Sequence, residues 1–175
     1  MIEIRKLDPE TFRGKPFTLR YTTEGYYDIS GNESGFGVIR KPFDLPKEMA
    51  IDDVFFGPWL EEPEGFGAFE GERMLGFIEG FLEKWNNRYR IGNICVFDAA
   101  DRGAGAGTLL MNAALTAAKA CGARMAVVET QSCNEKAIAF YRKCGFEIIG
   151  FDLFAYSNED PENNEIRIEM GRALK

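Results

Sequence analysis

A short segment of alternating glycine and alanine constrains this chain more than any other feature. Residues 103–107 read Gly-Ala-Gly-Ala-Gly, after an apolar run at 94–97 and before an Ala- and Leu-rich stretch. Glycine lets a ligand approach the backbone closely, and the amide groups at a helix N-terminus stabilise a phosphate. The pattern therefore predicts a strand, an anion-binding loop and a helix, with a phosphorylated cofactor as ligand. The alternative is a glycine turn that only starts a helix.

Three phosphate-binding patterns can be compared with this loop. A P-loop requires lysine and serine or threonine after its last glycine, and no lysine stands there. A dinucleotide fingerprint requires glycine where Thr108 stands, and the chain after Glu129 is too short for the remaining units of a doubly wound sheet. This makes a nicotinamide enzyme the weakest alternative. The third pattern, Arg-x-x-Gly-x-Gly, fits residues 102–107 without adjustment.

The apolar periodicity predicts most elements after residue 65. The predicted strands lie at 66–70, 73–85, 88–97, 123–130, 146–156 and 165–171, and the predicted helices at 107–121 and 135–143. Asn134 is a favourable N-cap for the second helix, and Gly145 is its stop. Before residue 65, six prolines predict a short strand at 2–5 followed by irregular, aromatic-rich segments with short helices. Without repeats or linkers, residues 1–175 are predicted to form one domain, with a core at about 65–175 and acceptor-side segments at about 1–64.

Composition excludes several classes of site. The chain has no histidine, so it cannot use a Ser-His-Asp relay or a histidine-ligated metal, and no metal site is expected. Four cysteines without a Cys-x-x-Cys pair are predicted to be reduced structural thiols. A net charge of −7 opposes binding to nucleic acid or to an anionic membrane and favours a cationic ligand. With no long apolar run and no signal segment, a cytoplasmic location is expected.

The Arg-x-x-Gly-x-Gly loop between a strand and a helix resembles the coenzyme A pyrophosphate loop of the GNAT superfamily of N-acetyltransferases. Asn134 and Tyr141 stand where that superfamily places a pantetheine-contacting Asn and a Tyr near the thioester. The strings at 85–89, 129–131, 140–146 and 150–152 are similar to the streptothricin acetyltransferase branch. The resemblance covers about the last two-thirds of the chain. It implies an α/β GNAT fold, in which a mixed, mostly antiparallel twisted sheet has helices on both faces and a splayed central strand pair.

The resemblance also implies the activity. An N-acetyltransferase of this kind moves an acetyl group from acetyl-CoA, as co-substrate, to a primary amine of a small cationic acceptor, here a streptothricin-type antibiotic, by direct attack. Another amine remains open as acceptor (a polyamine, aminoglycoside, amino acid, protein lysine or N-terminus), as does a non-catalytic acyl-CoA-binding module. Many members of the superfamily dimerise, which implies a homodimer.

The resemblance also implies the cofactor-binding residues, which act through main-chain groups of the strand and the loop and through Asn134 and Tyr141 of the Asn-started helix. They are Ile94, Cys95, Val96, Arg102, Gly103, Ala104, Gly105, Ala106, Gly107, Thr108, Asn134 and Tyr141.

The catalytic residues are expected to supply a proton to the leaving thiolate and to remove one from the amine. Tyr141 is predicted to protonate the thiolate. Many relatives carry an acidic residue at the start of the strand before the loop, where this chain has Ile-Gly-Asn at 91–93. Glu129 and Asp152 are predicted to substitute for it, and Glu79 is a third candidate. Proton transfer through a water, or capture of the neutral amine, stays open.

Overall fold

The computed structural model describes residues 1–174, which form an α/β fold with a mixed, mostly antiparallel sheet. The sheet has the strand order β1-β4-β5-β6-β7-β9-β8, and β2 and β3 form a separate two-stranded sheet. The elements are β1 (Glu3–Leu7), α1 (Pro9–Phe12), β2 (Pro16–Asn32), β3 (Gly35–Val54), β4 (Glu64–Glu70), β5 (Arg73–Glu83), β6 (Arg88–Val96), a 3₁₀ helix (Ala99–Asp101), α2 (Ala106–Ala120), β7 (Met125–Gln131), α3 (Glu135–Lys143), β8 (Glu147–Asp152), α4 (Asp160–Asn163) and β9 (Arg167–Ala173).

The chain divides into two compact units that are interleaved in sequence. Unit 1 comprises residues 1–19, 51–128 and those from 172 onward, and unit 2 comprises residues 20–50 and 129–171. Strand β7 passes from the first to the second. Residues 1–64 contribute to both units, and the organisation as a single domain stays a prediction.

In unit 1, strands β1, β4, β5 and β6 are antiparallel neighbours, and helix α2 packs against β4, β5 and β6. Alanine and leucine favour the helix, and its buried face includes Leu110, Ala114 and Ala118. A separate aromatic cluster around Phe55 and Phe77 has ring centroids 4.1 Å apart. Burying these aromatic side chains supplies much of the hydrophobic stabilisation of the unit.

The parallel pairing of β6 and β7 is short. Their register runs from Arg88 with Met125 to Ile91 with Val128, although β6 continues to Val96. On its other edge, β6 stays paired with β5 as far as Val96, through an irregularity between Glu79 and Gly80. After Ile91, β6 is therefore no longer paired with β7, as expected for the predicted splayed strand pair.

In unit 2, β8 and β9 are antiparallel, and the register runs from Glu147 with Gly171 to Asp152 with Arg167. Helix α3 spans Glu135–Lys143, as predicted. Gly145 follows it with φ of +81°, a left-handed conformation that glycine adopts without strain and that ends helices. Ile138, Phe146, Ile168 and Met170 are at most 1% exposed and form the core of this unit.

The prediction of irregular segments before residue 65 is wrong. Residues 16–54 form two long strands, β2 and β3, with a turn between them. Pro42 and Pro46 lie within β3. They are four residues apart, so their nitrogens face the same edge, and a two-stranded sheet leaves one edge of β3 without a hydrogen-bonded strand. The two prolines therefore do not interrupt the hydrogen bonds between β2 and β3. The number of prolines was for this reason a poor indicator of irregular structure.

Candidate active site

The glycine loop in unit 1 has a backbone that requires glycine. Gly103 and Gly105 have φ of +91° and +99°, and Gly105 is the N-cap of α2. A Cβ added at either position would meet nothing within 4 Å, so the requirement comes from conformation rather than from space. Helix α2 begins at Ala106, one residue before the predicted start. Its first amides have no acceptor within the helix, and residues 102–104 are exposed, so the loop fits a phosphate group.

Hydrogen bonds of two arginines fix the start of this loop. The Arg102 guanidinium donates from Nε to the carbonyl of Val96 at 3.2 Å and from Nη2 to that of Phe97 at 3.5 Å. Arg73 on β5 donates to both carboxylate oxygens of Asp101, at 2.9 and 3.0 Å. Arg102 therefore ties the loop to the end of β6, and the bidentate pair with Asp101 ties it to β5.

The strand residues predicted to face the thioester lie next to the loop. Ile94, Cys95 and Val96 pair with Ile78, Phe77 and Gly76 on β5. Cys95 is 2% exposed, and burial raises the pKa of its thiol to about 11. The thiol therefore keeps its proton at neutral pH, which favours the structural interpretation of this residue over a nucleophile.

Asn134 and Tyr141 belong to unit 2. The Asn134 side chain accepts a hydrogen bond from the Ala137 amide at 3.3 Å, which confirms it as the N-cap of α3. Tyr141 is 5% exposed, and its ring centroid lies 5.7 Å from that of Phe140 and 6.2 Å from that of Phe146. Burial raises the pKa of Tyr141, so its hydroxyl keeps its proton at neutral pH and can donate a hydrogen bond.

The two predicted bases, Glu129 and Asp152, are brought together by one cation. Arg167 on β9 lies 3.6 Å from Glu129 Oε2 and 3.7 Å from Asp152 Oδ2, measured from its two terminal nitrogens. We call these three residues the Arg167-bridged acid pair. The guanidinium thus places one positive charge between two carboxylates.

A second pair of carboxylates lies in unit 1 and joins Glu79, the third candidate from the sequence, to Asp53, which sequence reasoning missed. The Asn93 side-chain amide donates to Glu79 Oε1 and to Asp53 Oδ2, at 3.0 Å each. Glu79 is 1% exposed and also accepts from the Phe56 amide at 2.9 Å. We call Asp53, Asn93 and Glu79 the Asn93-bridged acid pair. Asp53 carried no signal in the sequence, because it ends a strand that was not predicted.

Burial raises the pKa of Glu79, although hydrogen bonds from Asn93 and from the Phe56 amide lower it. The charge of Asp53 adds to the increase, and the charge of Arg13 opposes it. Burial prevails because an isolated carboxylate loses the stabilisation of its charge by water. Glu79 thus takes up a proton more readily than an ordinary glutamate.

Among residues 1–174, no group of three or more Cys, Asp or Glu side chains is arranged to hold a metal ion. No helix within these residues is long and apolar enough to cross a membrane.

Comparison with known proteins identifies the family. The pattern of the Acetyltransferase (GNAT) family matches residues 26–146. The chain is 33% identical over 139 residues to a streptothricin acetyltransferase of Escherichia coli, covering 79% of this chain and 77% of that protein. It is 28% identical over 151 residues to a streptothricin acetyltransferase of Streptomyces lavendulae, covering 81% and 79%.

Solved structures agree with this assignment. The crystal structure of nourseothricin acetyltransferase superposes with a TM-score of 0.77 at 25% identity and covers 99% of both chains. A Bacillus anthracis protein crystallised in complex with acetyl coenzyme A has the same fold, with a TM-score of 0.78 at 23% identity, and covers 100% of this chain and 98% of its own. The chain therefore belongs to the GNAT family of acetyltransferases and is an N-acetyltransferase with acetyl-CoA as co-substrate.

Proposed function

We propose that this enzyme acetylates a primary amine of a streptothricin-type antibiotic, by direct attack of the amine on acetyl-CoA. The observation that carries the proposal is the similarity to streptothricin acetyltransferases over most of both chains. The net charge of −7 agrees with it, because an acidic protein attracts a cationic acceptor.

On the cofactor side, we propose that the amides of residues 103–108 bind the pyrophosphate of coenzyme A. Positive φ at Gly103 and Gly105 turns the chain into α2, and the helix dipole adds a favourable field for the negative charge. The main chain of 94–96 is proposed to bind pantetheine and to polarise the thioester carbonyl. Asn134 is proposed to contact pantetheine through the part of its side chain that does not cap α3.

The chemistry requires two proton transfers. The neutral amine attacks the thioester carbonyl, a C–N bond forms, and the C–S bond breaks when the tetrahedral intermediate collapses. We propose that Tyr141 gives its phenolic proton to the departing thiolate. Glu129 and Asp152 remain proposed residues of the acceptor side, and Arg167 lies between their carboxylates.

Release of free thiol from acetyl-CoA tests this proposal. Purified enzyme is assayed with streptothricin, a polyamine, an aminoglycoside, a free amino acid and a lysine peptide, and with no acceptor. Turnover with streptothricin at a kcat/KM well above the others is expected. Preference for another amine would keep the reaction and discard the antibiotic as acceptor, and no turnover with any amine despite acetyl-CoA binding would indicate a non-catalytic module.

The loop assignment has its own test. Gly105→Val places a β-branched residue at a φ that only glycine tolerates well, so acetyl-CoA affinity is expected to fall at least tenfold. Gly122→Val is the matched control, because Gly122 also has positive φ, at +75°, but lies at the other end of α2. Equal affinity in the two folded variants would contradict the assignment.

A cytoplasmic location and a homodimer belong to the same proposal. Acetyl-CoA is available inside the cell, and several large apolar side chains of β3, including Phe36, Ile39 and Leu45, are exposed in the monomer. Cell fractionation and light scattering of the purified protein test the two points.

A further inference from the structure

The Asn93-bridged acid pair lies on β6 directly before the segment that leads into the glycine loop. Asn93 is two residues beyond Ile91, where the register of β6 with β7 ends, and directly before the proposed thioester segment 94–96. Glu79 on β5 pairs with Asn93, and the register of the two strands shifts directly after this pair, between Glu79 and Gly80. Asp53 comes from the end of β3. Three strands of unit 1 thus contribute one polar side chain each to a cluster at the point where the pairing of β6 with β7 has ended.

The bridge of this pair is neutral. An asparagine amide has two hydrogens, and here each is donated to a different carboxylate, so the two negative charges are linked without being compensated. The Arg13 guanidinium donates to the Phe56 carbonyl at 3.2 Å, and its charge lowers the pKa of Glu79. Burial and the like charge of Asp53 act in the other direction, and the pKa of Glu79 is raised overall.

The two carboxylates differ in access. Glu79 is 1% exposed and has both oxygens occupied by donors, so a substrate cannot reach it. Asp53 is only partly buried, and it is held by the Val54 amide on one oxygen, at 2.7 Å, and by Asn93 on the other. A carboxylate oxygen has two lone pairs, so each can accept a further hydrogen bond. Asp53 is therefore the member that can contact an acceptor.

We infer that Asp53 accepts the proton of the acceptor ammonium group, and that Asn93 and Glu79 are the residues that position it. The inference rests on the proposed function and deepens it. The ammonium N–H bond breaks, its proton moves to Asp53, and the amine keeps the electron pair with which it attacks the thioester carbonyl. In this way unit 1 supplies a carboxylate from β3 that is held by Asn93 on β6.

The rate of acetyl transfer as a function of pH tests the inference. Asp53→Asn is expected to lower kcat/KM for the amine about 100-fold at pH 7, the size typical of losing a general base, with unchanged acetyl-CoA affinity. The loss should narrow towards pH 9, because the neutral fraction of an alkyl amine with a pKa of ~10 rises tenfold per pH unit. Asp52→Asn is the matched control, since Asp52 is an exposed neighbour that accepts from Thr18 at 2.7 Å, and it should stay within twofold.

The positioning role has a separate readout. Glu79→Gln should shift the acidic limb of the pH–rate profile to lower pH, because the pair then loses its second charge. A purely structural role would lower stability without moving this limb. If Asp53→Asn does not fold, Asn93→Ser takes its place, because it removes the bridge and keeps both carboxylates.

The outcomes separate this inference from the proposed function. Wild-type enzyme that acetylates no amine contradicts the proposed function. Wild-type enzyme that is active, with Asp53→Asn indistinguishable from Asp52→Asn at every pH, or with Asn93→Ser unchanged, overturns the inference and leaves the proposed function standing.

Discussion

Two pairs of carboxylates in this molecule are each linked by one nitrogen side chain, but the linking group is a cation in one and a neutral amide in the other. Arg167 joins Glu129 and Asp152, which are 34% and 49% exposed. Asn93 joins Asp53 and Glu79, of which Glu79 is almost fully buried. The first pair has a cation between its carboxylates and is partly exposed to solvent. The second has a neutral amide between them, and burial raises the pKa of its inner member, Glu79.

This comparison separates carboxylates that residue type alone does not distinguish. Four carboxylates lie within these pairs, and the sequence analysis named Glu129, Asp152 and Glu79 because they lie on predicted strands, but not Asp53. A carboxylate becomes useful for proton transfer through its surroundings rather than through its type. The bridging residue is the feature that distinguishes the two pairs.

Asn93→Lys should make the two pairs alike, because it places a cation between Asp53 and Glu79 as Arg167 does between Glu129 and Asp152. The lysine ammonium would pair with Asp53 and Glu79 and reduce their tendency to take up a proton, so acetyl transfer at pH 7 is expected to fall about 100-fold. Steady-state thiol release measures this. Asn112→Lys, on the exposed face of α2, controls for the added charge. Activity of Asn93→Lys near that of the control would show that the pair takes no part in proton removal.

Tyr141→Phe sharpens the comparison by separating proton delivery from proton removal. The variant is expected to lower the single-turnover rate about tenfold, because the thiolate loses its proton donor, while acetyl-CoA affinity changes little. Unlike the loss in Asp53→Asn, this loss should persist at pH 9. Tyr26→Phe is the control, since Tyr26 packs against Phe43, with ring centroids 4.9 Å apart, on the two-stranded sheet. A wild-type single-turnover rate would remove Tyr141 from the mechanism.

The pH dependence of folding stability gives a third test, which concerns the buried Glu79 on β5. The pKa of Glu79 is raised in the folded state, so ionisation costs folding free energy that protonation at low pH avoids. Wild-type stability relative to Glu79→Gln should therefore decline as pH rises from the unfolded pKa through the raised folded one. The expected change is about 1 kcal/mol, typical of one buried hydrogen-bonded group, and urea unfolding measures it.

Glu83 on the same strand should behave in the opposite way. Partial burial raises its pKa, but hydrogen bonds from Arg90 and Asn86 prevail and hold it below the usual value. Its contribution is therefore present above the unfolded pKa and lost as pH falls through the folded pKa. The same sign for Glu79→Gln and Glu83→Gln would contradict the assigned environments.

Arg167→Gln should have the smallest effect. The ion pairs it removes are exposed and longer than 3.5 Å, and such pairs contribute about 0–1 kcal/mol. Acetyl transfer is expected to stay within about threefold of wild type, measured in the same thiol assay, with Lys136→Gln as an exposed control. A tenfold loss would return Glu129 and Asp152 to the centre of the mechanism.

Local features of the chain could be predicted because they depend on neighbours in sequence. The glycine loop, the start of α2 within one residue, the N-cap at Asn134 and the stop at Gly145 all follow from backbone preferences and hydrogen bonds over a few residues. The family pattern and its acetyl-CoA chemistry depend on these same local motifs, so they were accessible as well.

The long strands before residue 54 could not be predicted, because what tolerates Pro42 and Pro46 is an edge of β3 that exists only once β2 has paired. The Asn93-bridged acid pair is a matter of tertiary structure for the same reason. Its hydrogen bonds join residues 40 and 14 positions apart, and the raised pKa of Glu79 comes from burial that no local pattern encodes. The sequence by itself determined the glycine loop and the kind of reaction. Only the folded chain decided which carboxylates lie together and which of them is buried, because burial and side-chain contacts act between residues that are distant along the chain.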